Sequence, residues 1–344
     1  MLPSKHPQPN RSKQTRLDND SRFARHLIWA MLLTVAWLMR VPPATAQLTA
    51  EFHQTVAVTL TEPVTLDVEV SSAELEVLYS RDGEVSIKGI ARASADAKLD
   101  DNFFNAALAI EREGNHLKIR HVSNPAYPEK LISTVYRIDV PYRTEVVSVV
   151  GHGKQTFTGI MGPVRAMTGM GDLKASYISK GLHAQVDRGN IDLHVIGDHV
   201  DAKTGDGNIS CERLAQGVSA ETGEGDITLM VVGSSAATVK KGSGRIEAGG
   251  VRGSFTGSTS AGDLHIKAIP HDNWRLSSSS GTIRLELPPV AKFELDASTD
   301  SGELQVDRDD VTRPASGIRH IDQKVNGDGK RIDAHTVTGN ITIR

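Results

Sequence analysis

The chain is short of cysteine, of aromatic residues and of excess charge. Its 344 residues include one cysteine, 4% aromatic residues and a formal net charge of −3. A single cysteine excludes a disulfide framework and a zinc site of the Cys-x-x-Cys type. Balanced charge with both signs interspersed leaves no electrostatic footprint for nucleic acid. With 31 glycines, the composition instead favours a β-rich protein with many turns.

The N-terminal segment has the pattern of a secretory signal peptide. Lysines and arginines precede the apolar run Leu27 to Met39, which at 13 residues is too short to span a bilayer. Ala44-Thr45-Ala46 offers the small-x-small pattern of a signal-peptidase site, with Gln47 as the new N-terminus. We therefore expect residues 1–46 to be a cleaved signal peptide and the mature chain to be exported, to the periplasm or the cell surface.

An uncleaved membrane anchor at the same run is the alternative interpretation. No cysteine closely follows the run, which excludes a lipoprotein anchor. No second apolar stretch reaches the length of a membrane-spanning helix. We expect no transmembrane segment in the mature chain.

An 18-residue repeat organises residues 146–344. A Gly-x-(Ile/Leu) motif occurs at spacings of mostly 18 or 19 residues, and its glycines are Gly171, Gly189, Gly207, Gly225, Gly244, Gly262, Gly281, Gly302 and Gly339. Apolar and polar residues alternate on both sides of each glycine, which predicts two short strands joined at a glycine corner.

Stacked repeats predict a β-solenoid, because one unit cannot bury its apolar face alone. We expect parallel coils about 4.8 Å apart, roughly ten in number and about 50 Å long in total. The inward columns form a structural core ladder of small and branched residues, represented by Ala184, Ala202, Ala220, Ile191, Ile209 and Ile227. Cys211 falls in an inward column and is interpreted as a buried, unreactive residue.

The remaining segments depart from the repeat. Residues 47–145 alternate like strands without a fixed period, and we interpret them as an irregular N-terminal β region that caps the solenoid. Within this region, Ala91 to Ala109 is expected to form a loop or a short helix. Residues 307–330 are interpreted as an insertion loop with one degenerate coil. The predicted fold class is therefore all-β, a single-chain β-solenoid with about 18 residues per coil.

The strand that enters the repeat ends in Tyr136-Arg137-Ile138-Asp139-Val140-Pro141. The repeat that follows reads Val-x-Ala-x-Thr-Gly-x-Gly-(Asp/Asn)-Ile, most clearly at Val200 to Ile209 and at Val218 to Ile227. In these features the chain resembles the bacterial putative-adhesin β-solenoid family, over most of residues 50–344. The resemblance implies a β-solenoid and a location in the cell envelope.

Calcium binding is the first chemistry that the repeat suggests. Gly223-Glu224-Gly225-Asp226 is similar to the Gly-Gly-x-Gly-x-Asp nonapeptide of calcium-binding β-rolls. Its acidic residue stands one position early, and the column through Asp226 also contains Asn, Arg and Thr. We interpret Asp and Asn beside the corner glycines as turn formers that bond the local backbone. We predict no metal and no cofactor.

The outward columns carry no recognisable catalytic motif, such as Gly-x-Ser-x-Gly or His-Glu-x-x-His. Opposite or polar neighbours on adjacent coils are expected to fix register, and they are His183 with Asp201, Lys203 with Glu221, and Lys174 with Asp192.

We therefore predict a non-enzymatic envelope protein, adhesin-like or structural, that presents a polar solenoid face to a glycan or another envelope protein. A nucleic-acid partner is not expected. The alternative is a carbohydrate-active enzyme, such as a polysaccharide lyase or hydrolase. In that case His183 and Asp201 are the best catalytic candidates.

Overall fold

The computed structural model describes residues 48–94, 98–121, 124–128, 131–233 and 236–344. The predicted signal peptide lies outside these residues. The described part contains one short helix, α1 (Phe103–Ala107), and its first seven strands are β1 (Leu48–Ala57), β2 (Val64–Ser72), β3 (Glu74–Tyr79), β4 (Glu84–Ala93), β5 (Leu108–Glu113), β6 (His116–His121) and β7 (Ile132–Val140).

Sixteen strands of four to nine residues follow. They are β8 (Thr144–His152), β9 (Gln155–Thr158), β10 (Val164–Met170), β11 (Leu173–Ile178), β12 (Leu182–Arg188), β13 (Ile191–Ile196), β14 (Val200–Asp206), β15 (Ile209–Leu214), β16 (Val218–Glu224), β17 (Ile227–Val232), β18 (Ala237–Ser243), β19 (Ile246–Gly249), β20 (Phe255–Ala261), β21 (Leu264–Lys267), β22 (Trp274–Ser280) and β23 (Ile283–Glu286). The last five are β24 (Phe293–Thr299), β25 (Leu304–Val306), β26 (His320–Val325), β27 (Lys330–Thr336) and β28 (Ile341–Ile343).

The strands form two 14-stranded sheets. Sheet 1 has the order β1-β4-β7-β3-β9-β11-β13-β15-β17-β19-β21-β23-β28-β25. Sheet 2 has the order β26-β24-β27-β22-β20-β18-β16-β14-β12-β10-β8-β2-β6-β5. From β8 onward, each coil consists of a strand of sheet 2, a glycine corner and a strand of sheet 1. The predicted fold class is thus confirmed, an all-β solenoid with an irregular N-terminal β region.

Register follows the sequence period through the regular coils. Ala184 pairs with Ala202, and Ala202 pairs with Ala220. On the other sheet, Ile209 pairs with Ile191 and Ile227. All six side chains are buried in one hydrophobic cluster, which is what parallel ladders with period-2 side chains produce.

Cys211 lies in this core between Leu193 and Leu229. It is 1% exposed, and burial raises the pKa of its thiol to about 12. Since the thiolate is the reactive form, the buried thiol is inert.

The corner glycines lie where successive backbones approach closely. Gly225 has φ of +127°, and a Cβ atom there would overlap the carbonyl oxygen of Gly207. A Cβ on Gly339 would likewise overlap the carbonyl oxygen of Gly281. Any larger residue at these two corners would push the coils apart.

Asp and Asn side chains beside the corners connect coils rather than closing local turns. Asp172 Oδ1 accepts the backbone N–H of Asn190 at 2.9 Å, and Asn190 Oδ1 accepts that of Asn208 at 2.9 Å. Asp226 Oδ1 accepts the N–H of Arg245 at 2.7 Å. The turn-former interpretation is therefore wrong about the partner, which is the backbone one coil further on.

A column of left-handed residues runs along sheet 1. Tyr177, Val195, Arg213 and Val231 have φ between 56° and 58°, and the column continues in Gly250 with φ of 65°. In β11 two successive residues, Ser176 and Tyr177, avoid the core before Ile178 turns inward again. A left-handed residue that shifts the alternation by one position acts as a β-bulge.

The N-terminal region contains coils, although its sequence has no fixed period that would predict them. β2 and β3 pair with β8 and β9, so they form a coil in register with the repeat. On their other side, β6 and β7 form a further parallel coil. The antiparallel strand β5 then ends sheet 2, whereas in sheet 1 the antiparallel β4 is followed by β1 at the rim.

Helix α1 lies inside the stretch interpreted as a loop or short helix, the first part of which belongs to β4. Its residues Phe103, Phe104 and Ala107 are buried. The Phe103 ring lies 5.3 Å from that of Tyr127, and the Phe104 ring lies 5.6 Å from that of Phe52. The helix therefore covers the N-terminal end of the core with aromatic side chains.

The last two coils are not stacked in chain order. β27 and β28 lie between the β22–β23 coil and the β24–β25 coil, with parallel pairing on both sides. The degenerate coil expected in residues 307–330 is absent from that stretch, whose main element, β26, runs antiparallel to β24 at the rim of sheet 2. The chain thus skips one layer and returns to it.

Candidate binding face

Polar side chains cover the outward side of sheet 2. Within each strand, exposed or half-buried residues alternate with buried ones, so outward columns form at the strand spacing of about 4.8 Å. Hydroxyl side chains are frequent in the middle of these columns, and they are Ser219, Thr238, Thr256, Ser258 and Ser277. We call this surface the outer face of sheet 2.

The three polar pairs predicted between adjacent coils are confirmed. Their closest N···O distances are 3.0 Å for His183 and Asp201, 3.3 Å for Lys203 and Glu221, and 3.5 Å for Lys174 and Asp192. Because these side chains are about half exposed, each pair contributes under about 1 kcal/mol and mainly favours the observed register.

A shallow depression of about 290 Å³ lies beside His183. Gly181, Arg165 and Glu145 also line it. Asp201 Oδ2 lies 3.0 Å from Nδ1 of His183, an arrangement that orients the imidazole. The depression therefore combines one oriented histidine with a second carboxylate on an open surface.

A second cleft, of about 320 Å³, lies where β22, β27 and β24 are neighbours. Each strand supplies two outward residues, and they are Arg275 and Ser277, Asp333 and His335, and Asp296 and Ser298. We call it the C-terminal cleft. Its middle strand, β27, belongs to the coil that is inserted between two coils that precede it in sequence.

Arg331 holds the carboxylates of the C-terminal cleft in place. Its Nε donates to Asp333 Oδ1 at 2.5 Å, and its two terminal nitrogens donate to Glu294 and Asp296. His320 Nε2 lies 3.0 Å from the other oxygen of Asp296. The hydrogen bond to Asp333 raises the pKa of Arg331, and an arginine side chain is not deprotonated in proteins, so this group stays a cation.

The repeat assigns the polar residues of the C-terminal cleft to outward columns, but it does not predict that they lie close to one another. Asp296 and Asp333 occupy the same column of the repeat, yet a column does not tell which coils are neighbours. The one available signal is the spacing of 37 residues between Gly302 and Gly339, which marks a break in regular stacking.

Two kinds of feature are absent from the part of the chain that the structure describes. There, no three His, Cys, Asp or Glu side chains are arranged to hold a metal ion. The same residues contain no helix long and apolar enough to cross a membrane.

Comparison with solved structures finds proteins described as adhesins. A putative adhesin from Bacteroides fragilis NCTC 9343 is 14% identical, with 85% of this chain and 95% of that chain covered and a TM-score of 0.31. A putative cell adhesion protein from Clostridium sporogenes ATCC 15579 is 11% identical, with 85% and 98% covered and a TM-score of 0.24. At these identities and TM-scores, nothing about function carries over to this chain.

No curated protein matches the chain. The family model described as Toastrack DUF4097 matches residues 174–344, the part in which the glycine repeat is most regular. This match confirms the family resemblance expected from the repeat. Over residues 174–344, the chain is therefore similar to the Toastrack DUF4097 family.

Proposed function

We propose that the protein is an exported, non-enzymatic scaffold of the cell envelope that binds a glycan or another envelope protein on the outer face of sheet 2. The observation that carries the proposal is the outer face itself, a ladder of twelve parallel strands between β24 and β6 whose outward columns are mostly polar. Stacked coils with an apolar core make such a surface rigid, so binding to it orders few side chains.

Export supports the envelope location. The apolar run Leu27 to Met39 and the small residues up to Ala46 have the pattern of a cleaved signal peptide. The proposal therefore places the functional chain from Gln47 onward in the periplasm or on the cell surface.

The experiment follows the full chain expressed in a bacterial host. We expect an exported product whose sequenced N-terminus is Gln47, and protease sensitivity on intact or permeabilised cells separates the surface from the periplasm. An intact Met1 in the cytoplasmic fraction would overturn the proposal.

A carbohydrate-active enzyme is the second candidate, and the depression beside His183 favours it. A histidine oriented by Asp201, with Glu145 nearby, is the arrangement that general acid–base catalysis needs. The test is release of reducing or unsaturated sugars from a panel of polysaccharides by the wild-type chain.

Two variants then separate catalysis from a structural role. Turnover that is lost in His183→Ala and kept in His194→Ala would establish the enzyme and refute the scaffold. His194 is the matched control, because its Nδ1 makes a similar pair with Glu212 at 3.1 Å on sheet 1. Absence of turnover on every polysaccharide is the result that the scaffold proposal predicts.

A further inference from the structure

The C-terminal cleft has hydrogen-bonding groups left over after its internal bonds are made. Arg275 and Asp333 are register partners on adjacent strands, yet they form no ion pair within the described residues. Asp333 Oδ1 instead accepts a hydrogen bond from Nε of Arg331 at 2.5 Å. An unpaired guanidinium and an unpaired carboxylate oxygen therefore lie on neighbouring strands of the same cleft.

Neutral donors and acceptors complete the lining. His335 Nδ1 lies 3.1 Å from the hydroxyl of Ser298, which leaves Nε2 of the ring for a ligand. Ser277 adds a hydroxyl beside Arg275 on the same strand. The cleft thus offers both donors and acceptors along one surface.

The charges of the cleft select against ionic ligands. An anion attracted to Arg275 would also approach Asp333 and Asp296, whereas a cation attracted to those carboxylates would approach Arg275 and Arg331. A hydroxyl group avoids this conflict, because it can accept from a guanidinium and donate to a carboxylate at once. A ligand with several adjacent hydroxyls therefore fits the mixed lining best.

We propose that the C-terminal cleft binds a neutral hexopyranose unit of a polysaccharide through its hydroxyl groups. The volume of about 320 Å³ is near the lower end for small-ligand sites and suits one sugar ring of a longer chain that continues across the open face. This inference rests on the proposed function, and it names the ligand class and the place on the outer face.

The site is preorganised for such a ligand. Arg331 and His320 hold Asp296, and Arg331 holds Asp333. Carboxylates that are already fixed lose little conformational freedom when the sugar binds. The positions of these acceptors depend on β27 lying between β22 and β24.

The test is titration calorimetry of the full chain with defined hexasaccharides. Cellohexaose, laminarihexaose and mannohexaose are the neutral probes, hexagalacturonate is the acidic probe, and fully deacetylated chitohexaose is the cationic probe. We expect at least one neutral probe to bind and both charged probes to bind more weakly.

Variants assign the binding to the cleft. Arg275→Gln and Asp333→Asn should each weaken binding of the neutral probe about tenfold. Arg275 has no internal bond among the described residues, so Arg275→Gln should leave the melting temperature unchanged. Arg284→Gln is the matched control, an exposed arginine of the same coil on sheet 1, and it should leave binding unchanged.

Three results would overturn the inference, namely no binding of any neutral probe, stronger binding of a charged probe, or neutral binding that Arg275→Gln does not weaken. None of them bears on export or on the absence of turnover. A result that refutes sugar binding at the cleft is therefore distinguishable from a result that refutes the proposed function.

Discussion

Ile332 is the register partner of Trp274, although Leu295 precedes Ile332 along the chain. The same reversal occurs at the other end, where the β2–β3 coil lies inside the later β6–β7 coil. Each inserted coil is hydrogen-bonded to a neighbouring coil on both sides. Other strands lie at the rims of the sheets, among them the antiparallel β5 and β26. Protecting a parallel ladder from edge-to-edge pairing is the physical advantage of such ends.

Hydroxyl groups of the column beside the corners contribute unequally to stability. Thr222 Oγ1 donates to the carbonyl of Gly207 at 2.9 Å, whereas the equivalent hydroxyl of Thr259 is buried without a partner among the described residues. Thr222→Val should therefore lower the free energy of unfolding by about 1 kcal/mol, and Thr259→Val should raise it by about 1 kcal/mol. Urea denaturation of the two isosteric variants measures both, and equal effects of the same sign would refute the assignment.

Backbone strain at the bulge column can be relieved by glycine. Val231 is 50% exposed and has φ of 57°, where a β-branched residue is disfavoured. Val231→Gly should raise the free energy of unfolding by about 1 kcal/mol, since the relieved strain exceeds the added chain entropy. Val231→Ala keeps a Cβ and should gain much less. A glycine variant no more stable than the alanine variant would contradict the left-handed geometry.

Acid should destabilise the corner at Asp226. The hydrogen bond from the Arg245 backbone N–H, with a smaller contribution from Lys241, holds the pKa of this carboxyl below its usual value. A lowered folded-state pKa stabilises the fold above the unfolded value near 3.8, and this stabilisation disappears as the pH falls through the folded value.

Asp226→Asn keeps the acceptor for Arg245 and removes the titration. Its stability should therefore fall less than that of the wild type between pH 5 and pH 2, about the range in which aspartates titrate. Asp187→Asn, at an exposed aspartate of the same solenoid, is the control and should follow the wild type. A wild-type acid dependence that persists in Asp226→Asn would place the effect elsewhere.

The repeat allowed most of the fold to be predicted. Alternation around each glycine identifies the inward columns, because only a period of two on both strands buries Ala202 and Ile209 together. The order of the last coils could not be predicted, since Trp274, Leu295 and Ile332 are all apolar and any stacking order would bury them. The bulge column was equally hidden, because Val195 and Val231 give no sign of a left-handed backbone.

For the candidate site, the sequence identified partners one period apart and no others. His183 and Asp201 are 18 residues apart and lie together as expected. In the C-terminal cleft, residues of β27 lie beside residues of both β22 and β24. Which of these residues are neighbours depends on the order of the strands in the sheet. The 37-residue spacing between Gly302 and Gly339 marks a break in the repeat there, but it does not give the order of the coils.

The inward position of Ala202 makes it sensitive to charge. A buried carboxylate without a partner is costly, so Ala202→Asp should lower the free energy of unfolding by about 4 kcal/mol or more and disrupt neighbouring coils. Thr238→Asp, on the outward side of β18 and flanked by the neutral Ser219 and Thr256, should change it by less than about 0.5 kcal/mol. Thermal unfolding followed by circular dichroism compares the two. Similar melting temperatures would contradict the coil register.

Cysteine cross-linking tests the inserted coil most directly, and with it the origin of the C-terminal cleft. Ser277 and His335 are register partners, about 4.8 Å apart along the ladder, whereas Ser277 and Ser298 are two layers apart. Under mild oxidation, Ser277→Cys/His335→Cys should form a disulfide, because its Cα separation is within reach. Ser277→Cys/Ser298→Cys should not. Mass spectrometry that finds the disulfide only in the second variant would show coils stacked in chain order and contradict the account.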